Sequence, residues 1–158
     1  VADRFASDPA LEFLWGDCRW IDEGGTVLYT RREVPFVRWL WLYGYNYIPQ
    51  PAAFWTRALY DQVGGLDRSC HVAMDTDLFA RMSRVARLEH ADEVLARFRV
   101  HAQQRTKVEA VGSQADTLHI VARELGRTPG ALEWAVLHGL AKVVRGVWRS
   151  IRRRGRNG

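Results

Sequence analysis

Two carboxylates and a guanidinium stand close together in Ala73-Met-Asp-Thr-Asp-Leu-Phe-Ala-Arg81. Leu78, Phe79, Met82 and Val85 recur at helical spacing, so a helix is expected over 75–86, following a loop. A carboxylate at a helix N-terminus is aimed by the preceding turn and kept ionised by helix-end N–H groups. Asp75 therefore suits a general base that takes a proton from a hydroxyl. It equally suits the plain role of N-cap. Asp77 either supports such a site or answers the helix dipole, and Arg81, four residues on, explains both as an ion pair without any catalysis. Asp67 either fixes the Gly64-Gly65 turn or touches a substrate. In Phe98-Arg-Val-His101, strand alternation puts Arg99 and His101 on one face. Two cationic groups there suit a phosphate, although a lone histidine after a strand is more often a surface residue. Gln103, Gln104 and Arg105 make a candidate lid. Trp39, Trp41, Tyr43, Tyr45 and Tyr47 form an aromatic cluster that serves as a stacking platform or, more commonly, as core.

The elements that must position these residues are legible in outline. Leu14 to Asp22 and Thr26 to Thr30 read as a hairpin turned at Asp22-Glu-Gly-Gly25. Residues 36–43 suit a short buried helix, and 47–54, with two prolines, an extended stretch. Thr56 caps a short helix that Gly64-Gly65 ends. Residues 88–90 and 94–100 look like two short strands, 113–125 a helix, and 131–154 a last helix after the Gly126–Gly130 break. Alternation of strands and helices points to α/β with a partly parallel sheet.

Composition bounds the function. At 158 residues, with 47% hydrophobic and 26% charged side chains, the chain holds one folded domain rather than a disordered segment. No signal segment opens it and no run of about 18 apolar residues spans a bilayer. Cys18 and Cys70 make neither a disulfide framework nor a zinc site, as expected of free cytosolic thiols. All 18 acidic residues lie at or before Glu133, alongside 16 of the 23 Lys and Arg, so the net +5 belongs to the tail.

Five segments occur in an order that resembles the second half of family-2 glycosyltransferases of the GT-A fold. They are Trp15-Gly-Asp-Cys-Arg-Trp-Ile-Asp-Glu-Gly-Gly25, Ile48-Pro-Gln-Pro-Ala-Ala-Phe-Trp-Thr-Arg57, Tyr60-Asp-Gln-Val-Gly-Gly-Leu-Asp67, Met74–Arg81 and Phe98–His101. None is specific alone; the order and spacing over residues 8–105 carry the resemblance. It implies a partial GT-A-type domain over 1–108, a mixed sheet flanked by helices, followed by a helical extension over 109–158. It implies sugar transfer from a nucleotide-sugar donor to a saccharide or lipid-linked acceptor, with inversion and Asp75 as base. Asp77, Asp67, Arg99 and His101 would then bind substrate, with His101 as a possible metal ligand. The divalent metal, Mg or Mn, would be held mainly by an acidic motif upstream of Val1, together with the nucleotide-binding half. The isolated piece is expected to be inactive. Met74 stands where the family often has Glu. The process implied is cell-surface polysaccharide synthesis at the cytoplasmic face of the membrane.

The tail carries its own signal. Leu132, Val136, Leu140, Val143, Val147 and Ile151 form an apolar stripe at helical period, widened by Trp134, Leu137, Val144 and Trp148, while His138, Lys142, Arg145, Arg149 and Arg152 run down the other side. Residues 131–154 thus suit either an in-plane helix on an anionic membrane or a helix packing its stripe on the domain. Two non-enzymatic alternatives remain. One is an interaction domain; the other is a nucleic-acid module using Arg152–Arg156, against which stands the confinement of the basic residues to the tail.

Overall fold

A nine-residue strand, β1 (Phe13–Ile21), organises the protein because apolar residues occupy both of its alternations, as a strand covered on both faces requires. The computed structural model describes residues 1–70, 72–101 and 110–154. β2 (Val27–Arg31) returns antiparallel from the expected hairpin, with Trp20 opposite Tyr29. β3 (Ala53–Trp55) pairs antiparallel with the start of β1, and β4 (Leu88–Arg99) runs parallel to it along the other edge. The class is α/β: a mixed four-stranded sheet flanked by helices.

The helices are α1 (Ala2–Ser7), α2 (Arg38–Gly44), α3 (Arg57–Gln62), α4 (Met74–Val85), α5 (Ala110–Leu125) and α6 (Ala131–Arg154). Thr56 caps α3 by accepting from the Leu59 N–H, and Gly64 and Gly65 leave it with φ of +79° and +71°. Phe13 and Trp15 of β1 meet Leu40 and Trp41 of α2 and Leu78, Phe79 and Met82 of α4. Segment 109–158 adds Ile120, Val121 and Ala141 to that same core. The expected α4 stripe is buried except for Val85, which is half exposed. α1 has no buried residue and no side-chain cap, which is why no sequence signal announced it.

The two short strands expected at 88–90 and 94–100 are one strand. Its pairing slips between Gly16 and Cys18, where Ala91 and then Val94 face successive β1 residues. The extra residues arch over Gly16, as a bulge does. A Cβ on Gly16 would lie 2.6 Å from Leu95 Cγ and 2.7 Å from the Glu93 carbonyl oxygen. Gly16→Ala is therefore expected to destabilise the fold by about 1–3 kcal/mol. Thermal melts check this; an unchanged midpoint would mean that the bulge gives way freely.

α6 corrects a sequence expectation. The stripe does not pack on the domain: its six residues are between 48% and 79% exposed. The apolar flank that widens it does, with Trp134, Leu137, Val144 and Trp148 against the core, and the neighbouring basic side turns in with it. Trp134 packs on Tyr43 with ring centroids 5.6 Å apart, His138 Nδ1 lies 2.6 Å from the Tyr43 carbonyl, and Arg145 donates to the Gly44 carbonyl at 2.7 Å and to Glu33 at 3.0 Å. Arg152 pairs with Asp92. The reason is complementarity. Glu33 is 1% exposed and needs cations, the end of α2 offers open carbonyls, and small Ala141 and Gly44 let the helices approach. An aliphatic stripe satisfies none of those groups.

Candidate active site

A cavity of about 710 Å³ opens between the strands, the 46–51 loop and the start of α4. Its floor is a row of rings set by strand register. Trp20 on β1 stacks on Tyr29 of β2 at 5.3 Å and 12°, and meets Phe98 of β4 at 5.6 Å. Trp55 and Tyr60 add further aromatic wall, and the Arg31 guanidinium lies over Trp20 at 5.6 Å. Such a surface offers ring faces for stacking, with few polar groups to fix orientation.

Asp75 is foremost among those polar groups. The helix begins one residue earlier than expected, so Ala73 is the N-cap and Asp75 lies inside the first turn. Asp75 therefore does not cap α4. Its Oδ1 accepts from the Thr76 N–H at 2.7 Å and from the Thr76 hydroxyl at 3.3 Å; Asn46 donates to Oδ2 at 3.4 Å. Asn46 is itself held by Ile48 N–H, Trp41 and Thr76, which fixes its amide at the cavity edge. Burial raises the Asp75 carboxyl above its ordinary value, opposed by the Thr76 hydrogen bonds and by Arg31. A carboxylate that is costly to ionise yet aimed into a cavity has the character of a base.

The other expected site residues lie elsewhere. Asp77 is fully buried beneath the cavity wall: Arg81 holds its Oδ2 at 2.5 Å and Arg123 of α5 its Oδ1 at 2.5 Å. Arg123 also pairs with Glu124, which Arg38 and Arg84 reach as well, so a single ionic network ties α2, α4 and α5. The i,i+4 pair with Arg81 is thus present as expected. Asp67 is exposed and accepts from the Ser69 N–H at 2.8 Å and the Ser69 hydroxyl at 2.7 Å; those bonds lower its carboxyl below the ordinary range. Arg99 donates to the carbonyls of Asp22 and Glu23, tying β4 to the hairpin turn. His101 is exposed after β4 and does not line the cavity. Gln103 to Arg105 lie outside the described residues.

Of the aromatic cluster, Trp41, Tyr43 and Tyr47 are core, and Trp39 and Tyr45 lie at the surface. The ring surface of the cavity comes instead from Trp20, Tyr29, Phe98, Trp55 and Tyr60. Trp20 and Tyr29 could have been matched from the hairpin alone; Phe98 required the parallel pairing across 77 intervening residues.

Among the described residues, Asp67, Cys70 and Asp77 bring ligand atoms within 4.8 Å of one another. They do not fit a divalent metal. Both Asp77 oxygens already face guanidinium groups, and burial together with Asp77 and Asp67 raises the Cys70 thiol, keeping it protonated. Among the described residues, His101 belongs to no group of candidate metal ligands. Compared with protein-family models and with curated proteins, the chain matches none.

Proposed function

We propose that this chain is the acceptor-side part of an inverting family-2 glycosyltransferase. The observation that carries the reading is Asp75, a carboxylate resisting ionisation, in the wall of a cavity floored by Trp20, Tyr29 and Phe98. Sugar rings stack on such faces. An acceptor hydroxyl beside Asp75 would give its proton to the carboxylate while its oxygen attacks the anomeric carbon of a nucleotide sugar. The bond from that carbon to the nucleotide diphosphate breaks on the far side, and the configuration inverts. Burial sharpens this role, because the ionised Asp75 regains more by taking a proton than an exposed carboxylate would. Thr76 holds Oδ1 and Asn46 reaches Oδ2, which orients the carboxylate for the incoming hydroxyl.

The nucleotide-sugar donor and the Mg or Mn ion belong, in this reading, to a nucleotide-binding half joined to the chain. The experiment is transfer of labelled sugar by a protein carrying both halves, with Asp75 intact and with Asp75→Asn.

The acceptor we favour is lipid-linked, which would place the enzyme peripherally at the inner face of the cell membrane. What supports this is α6, whose six-residue aliphatic stripe faces outward on a helix that has no acidic residue after Glu133. No helix among the described residues is long and apolar enough to cross a membrane. The chain is expected to float with anionic liposomes, and Val136→Asp with Val143→Asp to stay at the bottom of the gradient. Flotation unaffected by that pair would discard the stripe as the contact, and a stripe-dependent dimer in light scattering would assign it to a second copy.

A further inference from the structure

A second groove of about 690 Å³ adjoins the cavity and shares Tyr29, Arg31 and Asn46 with it. Arg31, Lys142, Arg145 and Arg149 line it against one carboxylate, Glu33, leaving a net charge of +3. Glu33 is buried and holds three of those cations at once: Arg31 Nε at 3.0 Å, Arg145 Nη2 at 3.0 Å and Arg149 Nη1 at 3.7 Å. Arg145 is pinned further by the Gly44 carbonyl and by the Tyr47 ring 4.6 Å beneath it, while its Nε is buried with no hydrogen-bond partner. The groove rim passes Tyr45, whose φ of 61° with ψ of 165° is a conformation that side chains other than glycine's rarely adopt. A cluster this basic repels itself unless an anion completes it, and Glu33 supplies only one of the charges needed. Its guanidinium groups are already oriented, so an arriving phosphate finds donors in place.

We infer that this groove binds the phosphate or diphosphate of a substrate whose remainder reaches the Asp75 cavity. Arg31 is the link: it borders both spaces and favours the ionised form of Asp75. Two sources share the chemistry, the diphosphate of a lipid-linked acceptor and that of a nucleotide. α6 favours the lipid, because it contributes Lys142, Arg145 and Arg149 to the groove from one side and turns the aliphatic stripe outward from the other. The inference rests on the glycosyltransferase reading for its substrate but not for its binding chemistry.

The test is calorimetric titration of the full chain at low salt with inorganic pyrophosphate, geranyl diphosphate and uridine diphosphate. Pyrophosphate is expected to bind, and Lys142→Ala with Arg149→Ala, both near the surface, to weaken it at least tenfold with the melting midpoint unchanged. Geranyl diphosphate binding tighter than the other two assigns the lipid source; a preference for uridine diphosphate overturns that assignment. Failure of all three probes to bind, or binding indifferent to the double substitution, overturns the groove. Asp75→Asn is expected to leave pyrophosphate binding within twofold. Loss of turnover in Asp75→Asn without any phosphate binding would leave the enzyme reading standing and the groove rejected; phosphate binding with full turnover in Asp75→Asn would do the reverse.

Discussion

Asp75→Asn is expected to lower transfer by about 10²–10⁴-fold, the usual worth of a general base, and at the same time to stabilise the fold. The second half follows from the direction of the Asp75 shift. Burial raises this carboxyl above its ordinary 3.8, so the folded chain holds the proton more tightly than the unfolded chain does. The stability it confers is then complete below about pH 3.8 and is lost as pH rises through the raised value; at neutral pH the ionised group is a net cost. Asparagine keeps the shape and removes the charge. A gain of about 1 kcal/mol at pH 7, typical of relieving one strained functional group, would appear as a melting midpoint about 2–4 °C higher and would vanish near pH 3. The paired result matters more than either part. Lost turnover with lower stability at every pH would mark Asp75 as structural support, and undiminished turnover would end its role as base. The pH profile of turnover is expected to rise through the same value that the stability curve reports.

The opposite pattern is expected at Asp77, two residues away. Asp77→Ala removes the one buried carboxylate that faces both Arg81 and Arg123, and leaves these two partly buried guanidinium groups without the charge between them. Breaking a buried ion pair from one side costs about 3–5 kcal/mol, which in a domain of this size lowers the melting midpoint by about 10 °C. Asp77→Asn should be nearly as damaging, because an amide turns a donor toward one of the two guanidinium groups. Substrate affinity measured below the melting range is expected to stay within a factor of two. An Asp77→Asn protein as stable as the parent would return Asp77 to the list of binding residues. Glu124, buried among Arg38, Arg84 and Arg123, belongs to the same network, and those arginines hold its carboxyl below the ordinary range. Its contribution is present above pH 4.5 and is lost as pH falls through the lowered value, so acid unfolding should begin in this network.

Local signals carried most of the secondary structure. The Thr56 cap, the Gly64-Gly65 turn, the Leu78–Met82 periodicity and the hairpin at Asp22–Gly25 each depend on residues within a few positions of one another. The Asp77–Arg81 pair belongs with them, since four residues on a helix fix its geometry. The cavity does not. Trp20, Tyr29, Phe98, Trp55 and Tyr60 come from separate elements, and only cross-strand register brings them to one floor. Register slips by three residues across the β4 bulge, and the steric demand of Gly16 that permits it is invisible until Leu95 and Glu93 are in place.

Sequence by itself therefore determined the α/β class, the helix that carries Asp75, and a tail helix with one apolar and one basic side. Tertiary structure decided which side of that tail faces in. Helical period specifies two faces but not their partners, and a buried Glu33 with open carbonyls at the end of α2 draws cations inward more strongly than solvent repels an aliphatic stripe. It also decided that Asp75 meets a cavity while Asp77 meets two arginines. Residues two apart on one helix point about 200° away from each other, and only the neighbouring elements determine what each direction contains.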